Sequence, residues 1–233
     1  MDALEAAEGS VRASVIPAIG RFLYSLVRCC RPNLALEVGT FVGYSALNLA
    51  QGLEDNGEGH LHCFDLYPQL GDYVSPILGP CSNSLEVCRG HLERAGLAHR
   101  ISFHQGDAPV MIRGVATRFC AKFDLAFIDG DHSIRGCLTD WYAVDEVLSE
   151  GGLVVLHDTN PEACGWLGPR YLLEKLGDLR DQYHWVNMPT PDKTGLAMIQ
   201  RRTTKHSPRW APSIFELLTD RLFIHRFWRG KKD

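Results

Sequence analysis

The sequence predicts an α/β protein built on a doubly wound, mostly parallel sheet of seven strands, finished at its C-terminal edge by an antiparallel hairpin. Three observations carry that expectation. Short apolar runs of strand length alternate with stretches whose apolar residues recur at helical spacing. The runs Lys122–Asp129 and Leu153–Asp158 are almost wholly apolar in their interiors, as strands covered on both faces are. The notable polar groups, Glu37 and Gly39, Asp65, Asp107, Asp129 and His157-Asp158, all fall where a strand ends. Parallel α/β sheets bind their ligands at that edge.

Taken in order, residues 3–30 read as a helix whose apolar stripe (Val15, Ile16, Ile19, Phe22, Leu23, Leu26, Val27) is interrupted at Pro17 and stopped by Arg31-Pro-Asn. Leu34–Val38 is the first strand. Gly39 and Gly43 break it, and Ala46, Leu47, Leu49 and Ala50 resume at helical spacing. Glycine lets a ligand approach bare backbone, and the helix that follows offers first-turn N–H groups to an anion or carboxylate. Leu61–Asp65 is a second strand ending in a carboxylate 22 residues after Gly43, a spacing suited to ribose hydroxyls. Tyr67–Ser84 reads as an irregular insertion, Ser84–Ala95 as a helix capped by Gly96, and Ile101–Asp107 as a third strand closing on Gly106-Asp107. Lys122–Asp129 is the fourth strand. Gly130-Asp131-His132-Ser133 leads into a helix carrying Trp141, Val144, Val147 and Leu148, and Leu153–Asp158 follows as the fifth strand. Residues 168–180 read as helical, and Tyr183–Met188 with Gly195–Arg202 form the hairpin.

At 233 residues the chain fits one domain with additions: a helical segment 1–33, a central domain 34–202 and a basic, helical tail 203–233. No apolar run reaches the roughly 18 residues that a membrane span needs. The acidic start lacks a signal core, so the expected location is the cytoplasm. The eight cysteines show no metal-finger spacing and read as free, mostly buried thiols. Residues 201–233 hold nine Lys/Arg against three Asp/Glu, while residues 1–200 hold fifteen against twenty-five. A basic, aromatic tail (Trp210, Phe215, Phe223, Phe227, Trp228) suits nucleic acid or anionic lipid. The helical spacing of Phe215, Leu217, Leu218, Leu222 and Phe223 favours instead a helix packed on the domain or on a second subunit.

Glu37-Val-Gly39-Thr-Phe-Val-Gly43-Tyr-Ser45 resembles the first motif of the catechol and caffeoyl-CoA branch of the class I S-adenosylmethionine-dependent methyltransferases, whose fold is Rossmann-like. Phe127-Ile-Asp129-Gly-Asp-His132-Ser and Gly151-Gly-Leu-Val-Val-Leu-His157-Asp158-Thr are similar to metal-dependent O-methyltransferases acting on macrolide sugars. The resemblance covers residues 34–202. It implies that Gly39, Phe41, Gly43 and Ser45, with Glu37, line the methionine end of S-adenosylmethionine, that Asp65 takes the ribose, and that Gly106-Asp107 lies by the adenine amine. It further implies a divalent ion, Mg²⁺ in those families, on Asp129 and Asp158, with Asp129 also near the cofactor and His132 as general base toward a small-molecule hydroxyl. A homodimer through the N-terminal helix or the tail rests on the resemblance alone.

The chain departs from both branches. Lysine stands at the place of His132 and asparagine at that of Thr159 in the catechol branch, and a glutamate at that of His157 in the sugar branch. Imidazole suits zinc, iron or nickel better than magnesium, so His157 as a third metal ligand leaves a transition metal and metal-free catalysis both open. Two other functions compete with methyl transfer. An NAD-dependent oxidoreductase could use Asp65 and the glycine turn, but Gly39-x-x-x-Gly43 is not the GxGxxG form. A nucleic-acid methyltransferase or binding module could use the basic tail, but the acidic body argues against long nucleic-acid contacts.

Overall fold

The computed structural model describes residues 15–69, 74–75 and 79–230. Seven strands form one sheet: β1 (Leu34–Val38), β2 (His60–Asp65), β3 (Ile101–Gln105), β4 (Phe123–Ile128), β5 (Leu148–His157), β6 (Tyr183–Met188) and β7 (Leu196–Arg201). Their order is β3-β2-β1-β4-β5-β7-β6. The expected fold class is therefore the observed one. Eight α-helices accompany the strands among the described residues: α1 (Pro17–Cys30), α2 (Tyr44–Asn56), α3 (Ser84–Arg94), α4 (Ala108–Phe119), α5 (Ile134–Val147), α6 (Pro161–Cys164), α7 (Gly168–Leu176) and α8 (Ile214–Gly230).

The chain divides into two compact units, one ending at Met111 and the other beginning at Ile112. In the first, β1 pairs in parallel with β2, and β2 with β3. Pro17 opens α1 rather than interrupting it, because a helix's first turn has no use for the missing N–H. Ile19, Leu23 and Val27 bury the inner face of α1. The part of the expected leading helix that precedes Val15 lies outside the described residues. Within the 67–84 insertion, Val74–Ser75 pairs antiparallel with Gly79–Pro80, and Gln69 bridges Asn83.

In the second unit, β4 pairs in parallel with β5, while β5–β7 and β7–β6 are antiparallel, which gives the expected hairpin. Leu125, Ala126, Phe127 and Ile128 are at most 2% exposed, so β4 is as buried as its apolar run requires. Truncating Phe127 to alanine there would cost about 3–5 kcal/mol through lost transfer energy and the cavity left behind. All eight cysteines are free and five of them are buried, as expected.

One expectation needs correction. The sequence reading places no element between Asp107 and Lys122, yet α4 occupies most of that stretch; Pro109 and Gly114 lower its apparent helix propensity, and tertiary packing overrides them. The tail does form a helix, in which Phe215 is 78% exposed, Leu222 69% and Leu218 53%, while Leu217 and Phe223 are half-buried.

Candidate active site

In the first unit, the turn after β1 takes left-handed backbone at Gly39 (φ 82°), Phe41 (φ 48°) and Gly43 (φ 87°). Gly43 is held to glycine twice over, since its φ strains any side chain and an added Cβ would stand 3.0 Å from the Cys88 sulfur. Gly43 caps α2 without any side chain to bond the helix N–H groups, leaving that terminus suited to a ligand's anionic end. Asp65, at the end of β2, organises the turn. Its Oδ2 accepts from Thr40 N at 2.7 Å and Phe41 N at 2.9 Å, and its Oδ1 from Tyr67 N at 2.6 Å. A carboxylate oxygen accepts more than one hydrogen bond, so these contacts orient Asp65 without exhausting it. Glu37 is fully buried, its Oε2 accepting from the Cys63 thiol at 3.2 Å, and Ser45 is buried in the first turn of α2. Gly106 donates its N–H to the Asp65 carbonyl at 3.0 Å and turns the chain so that exposed Asp107 heads α4.

In the second unit, the ends of β4 and β5 bring four predicted residues together. Asp129 Oδ1 lies 3.1 Å from His132 Nε2 and 2.9 Å from His157 Nδ1. Asp158 approaches the same imidazoles, Oδ2 at 3.3 Å from His132 Nε2 and Oδ1 at 3.5 Å from His157 Nδ1. Asp158 achieves this with left-handed backbone, φ 57°, which aspartate tolerates better than most side chains. An imidazole lone pair and a carboxylate lone pair at such distances repel unless a cation, a proton or a metal ion, lies between them.

The electrostatics follow that rule. Burial alone would raise the Asp129 carboxyl, but the charges and hydrogen bonds of His157 and His132 outweigh it and hold it well below its ordinary value. Burial disfavours both imidazoliums, yet Asp129, with Asp158 behind it, raises His132 above its ordinary value and His157 to about 9. Burial raises Asp158 against the pull of His157, and the Asp129 charge adds to the rise. Asp129 and the two imidazoles thus favour one another's charged forms.

The donor set fits a divalent ion. Asp129, His132 and Asp158 each offer a ligand atom within 4.8 Å of the others. Adjacent ligands of one small dication stand about 3 Å apart for bonds of about 2.1 Å at right angles. Thr159, by contrast, turns away: it is fully buried and its hydroxyl donates to Asn187 Oδ1 at 2.6 Å.

Three further features shape this site. Gly168 approaches the loop before α5 so closely that an added Cβ would fall 2.5 Å from the His132 carbonyl oxygen and 2.4 Å from that of Ser133. The Trp166 ring lies 5.8 Å from that of His132, centroid to centroid. The β6–β7 turn supplies Thr194, whose Oγ1 is 3.2 Å from His157 Nε2.

The family profile described as a methyltransferase domain matches residues 36–159, more than half of the chain. The chain belongs to that methyltransferase family. It is 28% identical to the catechol O-methyltransferase of Niastella koreensis over 163 residues, 67% of this chain and 65% of the relative. It is 29% identical to caffeoyl-CoA O-methyltransferase 2 of Petunia hybrida over 114 residues, 48% of this chain and 40% of that one. The matched stretch therefore spans less than two thirds of either relative. Among solved structures, the O-methyltransferase TomG from Streptomyces achromogenes, in complex with S-adenosylmethionine, superposes with a TM-score of 0.69 at 21% identity, covering 87% of this chain and 91% of that one. The resemblance to class I methyltransferases is thus borne out in family and in fold.

Proposed function

We propose that this chain is an S-adenosylmethionine-dependent O-methyltransferase that methylates a hydroxyl of a small molecule with the help of a divalent metal. The observation that carries the proposal is the cluster of Asp129, His132 and Asp158 at the ends of β4 and β5, in a chain of the methyltransferase family. Relatives named for catechol and caffeoyl-CoA support a hydroxyl-bearing substrate. The turn Gly39–Gly43 with Glu37, Ser45, Asp65 and Gly106-Asp107 would hold the cofactor, Asp129 and Asp158 the metal. A cytoplasmic location and the division at 34–202 belong to the same proposal.

The chemistry a bound dication supplies is orientation and acidification of the hydroxyl. With the metal on Asp129 and Asp158, His132 would stay off it and take the hydroxyl proton on Nε2, which lies 3.1 Å from Asp129 Oδ1 and 3.3 Å from Asp158 Oδ2. Bound S-adenosylmethionine would supply an electrophilic methyl group, the oxygen pair forming the C–O bond while the electrons of the methyl–sulfur bond would stay on sulfur. Trp166, lying against His132, offers a flat apolar surface for a ring-bearing substrate.

Calorimetry with S-adenosylhomocysteine and with NAD, followed by methyl transfer from S-adenosylmethionine to a panel of hydroxylated small molecules, tests the reading. S-adenosylhomocysteine should bind, and His132→Ala should lower turnover about 10²- to 10⁴-fold with unchanged cofactor affinity. Tight binding of NAD without S-adenosylhomocysteine would overturn it.

A further inference from the structure

Histidine 157 stands where the macrolide-sugar branch carries a carboxylate, and its surroundings assign it a purpose. Its Nδ1 points at the carboxylates of Asp129 and Asp158, 2.9 and 3.5 Å away, and its Nε2 at Thr194 Oγ1, 3.2 Å away. The Thr194 hydroxyl has one hydrogen. That hydrogen goes to Asp192 Oδ1, 3.1 Å away, because a carboxylate only accepts. Asp192 is fixed in turn by the Thr190 hydroxyl at 2.5 Å and by Thr194 N at 3.3 Å. A Thr194 hydroxyl that donates to Asp192 presents a lone pair to His157, which suits hydrogen on Nε2. With a metal ion between it and the two carboxylates, a neutral His157 protonated on Nε2 turns its Nδ1 lone pair to that ion.

The placement is built into the fold. β5 and β7 pair up to His157↔Leu196, and Asn160 N donates to the Thr194 carbonyl at 2.7 Å, drawing the β6–β7 turn beneath the end of β5. Asn160 Nδ2 adds a second tie, to the Lys193 carbonyl at 2.7 Å.

We infer that His157 Nδ1 is a metal ligand whose tautomer is set by the Asp192–Thr194 pair, and that the site therefore selects a nitrogen-accepting dication such as Mn²⁺, Co²⁺ or Zn²⁺ over Mg²⁺. The inference rests on the reading that Asp129 and Asp158 hold a metal. Magnesium favours oxygen ligands in a strict octahedron, whereas imidazole raises affinity along the first-row series. A partner that orients a ligating histidine is worth about 10- to 100-fold in metal affinity. Thr194 and Asp192 are positioning residues in this scheme, acting through His157.

The test is metal binding by the full chain, with chloride salts of Mg²⁺, Mn²⁺, Co²⁺ and Zn²⁺ titrated calorimetrically and the visible absorption of the Co²⁺ form recorded. Wild type should bind Co²⁺ and Zn²⁺ at least tenfold more tightly than Mg²⁺. Thr194→Val should lose about 10- to 100-fold in Co²⁺ and Zn²⁺ affinity with a shifted Co²⁺ spectrum, while Mg²⁺ affinity moves less than threefold. Thr194→Ser, which keeps the acceptor, should behave as wild type. His157→Glu should reverse the preference toward Mg²⁺. Wild-type affinities and spectrum in both Thr194→Val and His157→Gln, with all binding lost in Asp129→Asn, would overturn the inference and leave the metal at the carboxylates. A wild-type chain that binds none of the four ions would overturn the inference together with the metal-assisted reading.

Discussion

His62 faces His104 across the β2–β3 pairing, Nδ1 to Nε2 at 2.9 Å, and the His60 ring centroid lies 5.1 Å from that of His62. Burial, and then the charges of His60 and His104, lower the His62 value to about 4. An unfolded chain takes up that proton below about pH 6.5, whereas the folded chain resists until about pH 4. Stability is therefore complete above pH 6.5, declines as pH falls toward 4 and levels off below it. Urea midpoints at pH 7 and pH 4.5 should differ more in the wild type than in His62→Gln, and an equal difference would contradict the assignment. At this scale the sequence was informative where chemistry is carried by residue type: Asp129, His132, His157 and Asp158 were all singled out, and they meet. It was uninformative about Asp192 and Thr194, which read as an ordinary Pro/Asp/Lys/Thr/Gly turn until the hairpin brings them to His157.

Helix α8 shows how an element can be recognised and still be oriented unexpectedly. Its apolar residues recur at helical spacing, yet the helix docks by a polar residue: Asp220 is 4% exposed, and its Oδ2 accepts from Ile134 N at 3.0 Å, at the positive end of α5. Lys175 Nζ stands 3.9 Å from Glu216 Oε1 beside it. Phe215→Ser should thus change the unfolding midpoint little, by under about 0.5 kcal/mol, whereas Asp220→Ala should cost about 1–2 kcal/mol by uncapping α5. Chemical denaturation of the two variants decides between this docking and a conventional apolar one. The loop before α5 makes a second prediction. Gly168→Ala would force its Cβ onto the carbonyls of His132 and Ser133, displacing the proposed base without altering the proposed metal ligands. Turnover should fall at least tenfold with the affinity for S-adenosylhomocysteine retained.

On the scale of the molecule, the C-terminal segment of the second unit is tied in by a buried polar network. Asp145 is 1% exposed and accepts from Tyr183 Oη at 2.6 Å, Ser207 N at 2.7 Å and Ser207 Oγ at 3.0 Å. Arg201, 2% exposed, donates to the carbonyls of Asp145 and Leu148 at 2.8 Å each, and to those of Thr203 and Thr204. Trp141 Nε1 reaches Ser207 Oγ at 2.8 Å. Removing the acceptor with Asp145→Ala leaves buried donors stranded and should cost about 3–5 kcal/mol, read from urea denaturation. The sequence by itself determined the succession of the seven sheet strands and of most helices, the glycine turn and the acids at the strand ends. Those follow from local periodicity and from the backbone freedom of particular residue types, which act over a few positions. Only the tertiary structure decided what each polar group does: that Asp65 fastens the turn of β1, that Thr159 turns to Asn187, and that His157 is oriented by Thr194, 37 residues further on. Hydrogen-bond partners and burial are set by contacts between distant segments, and no local pattern encodes them.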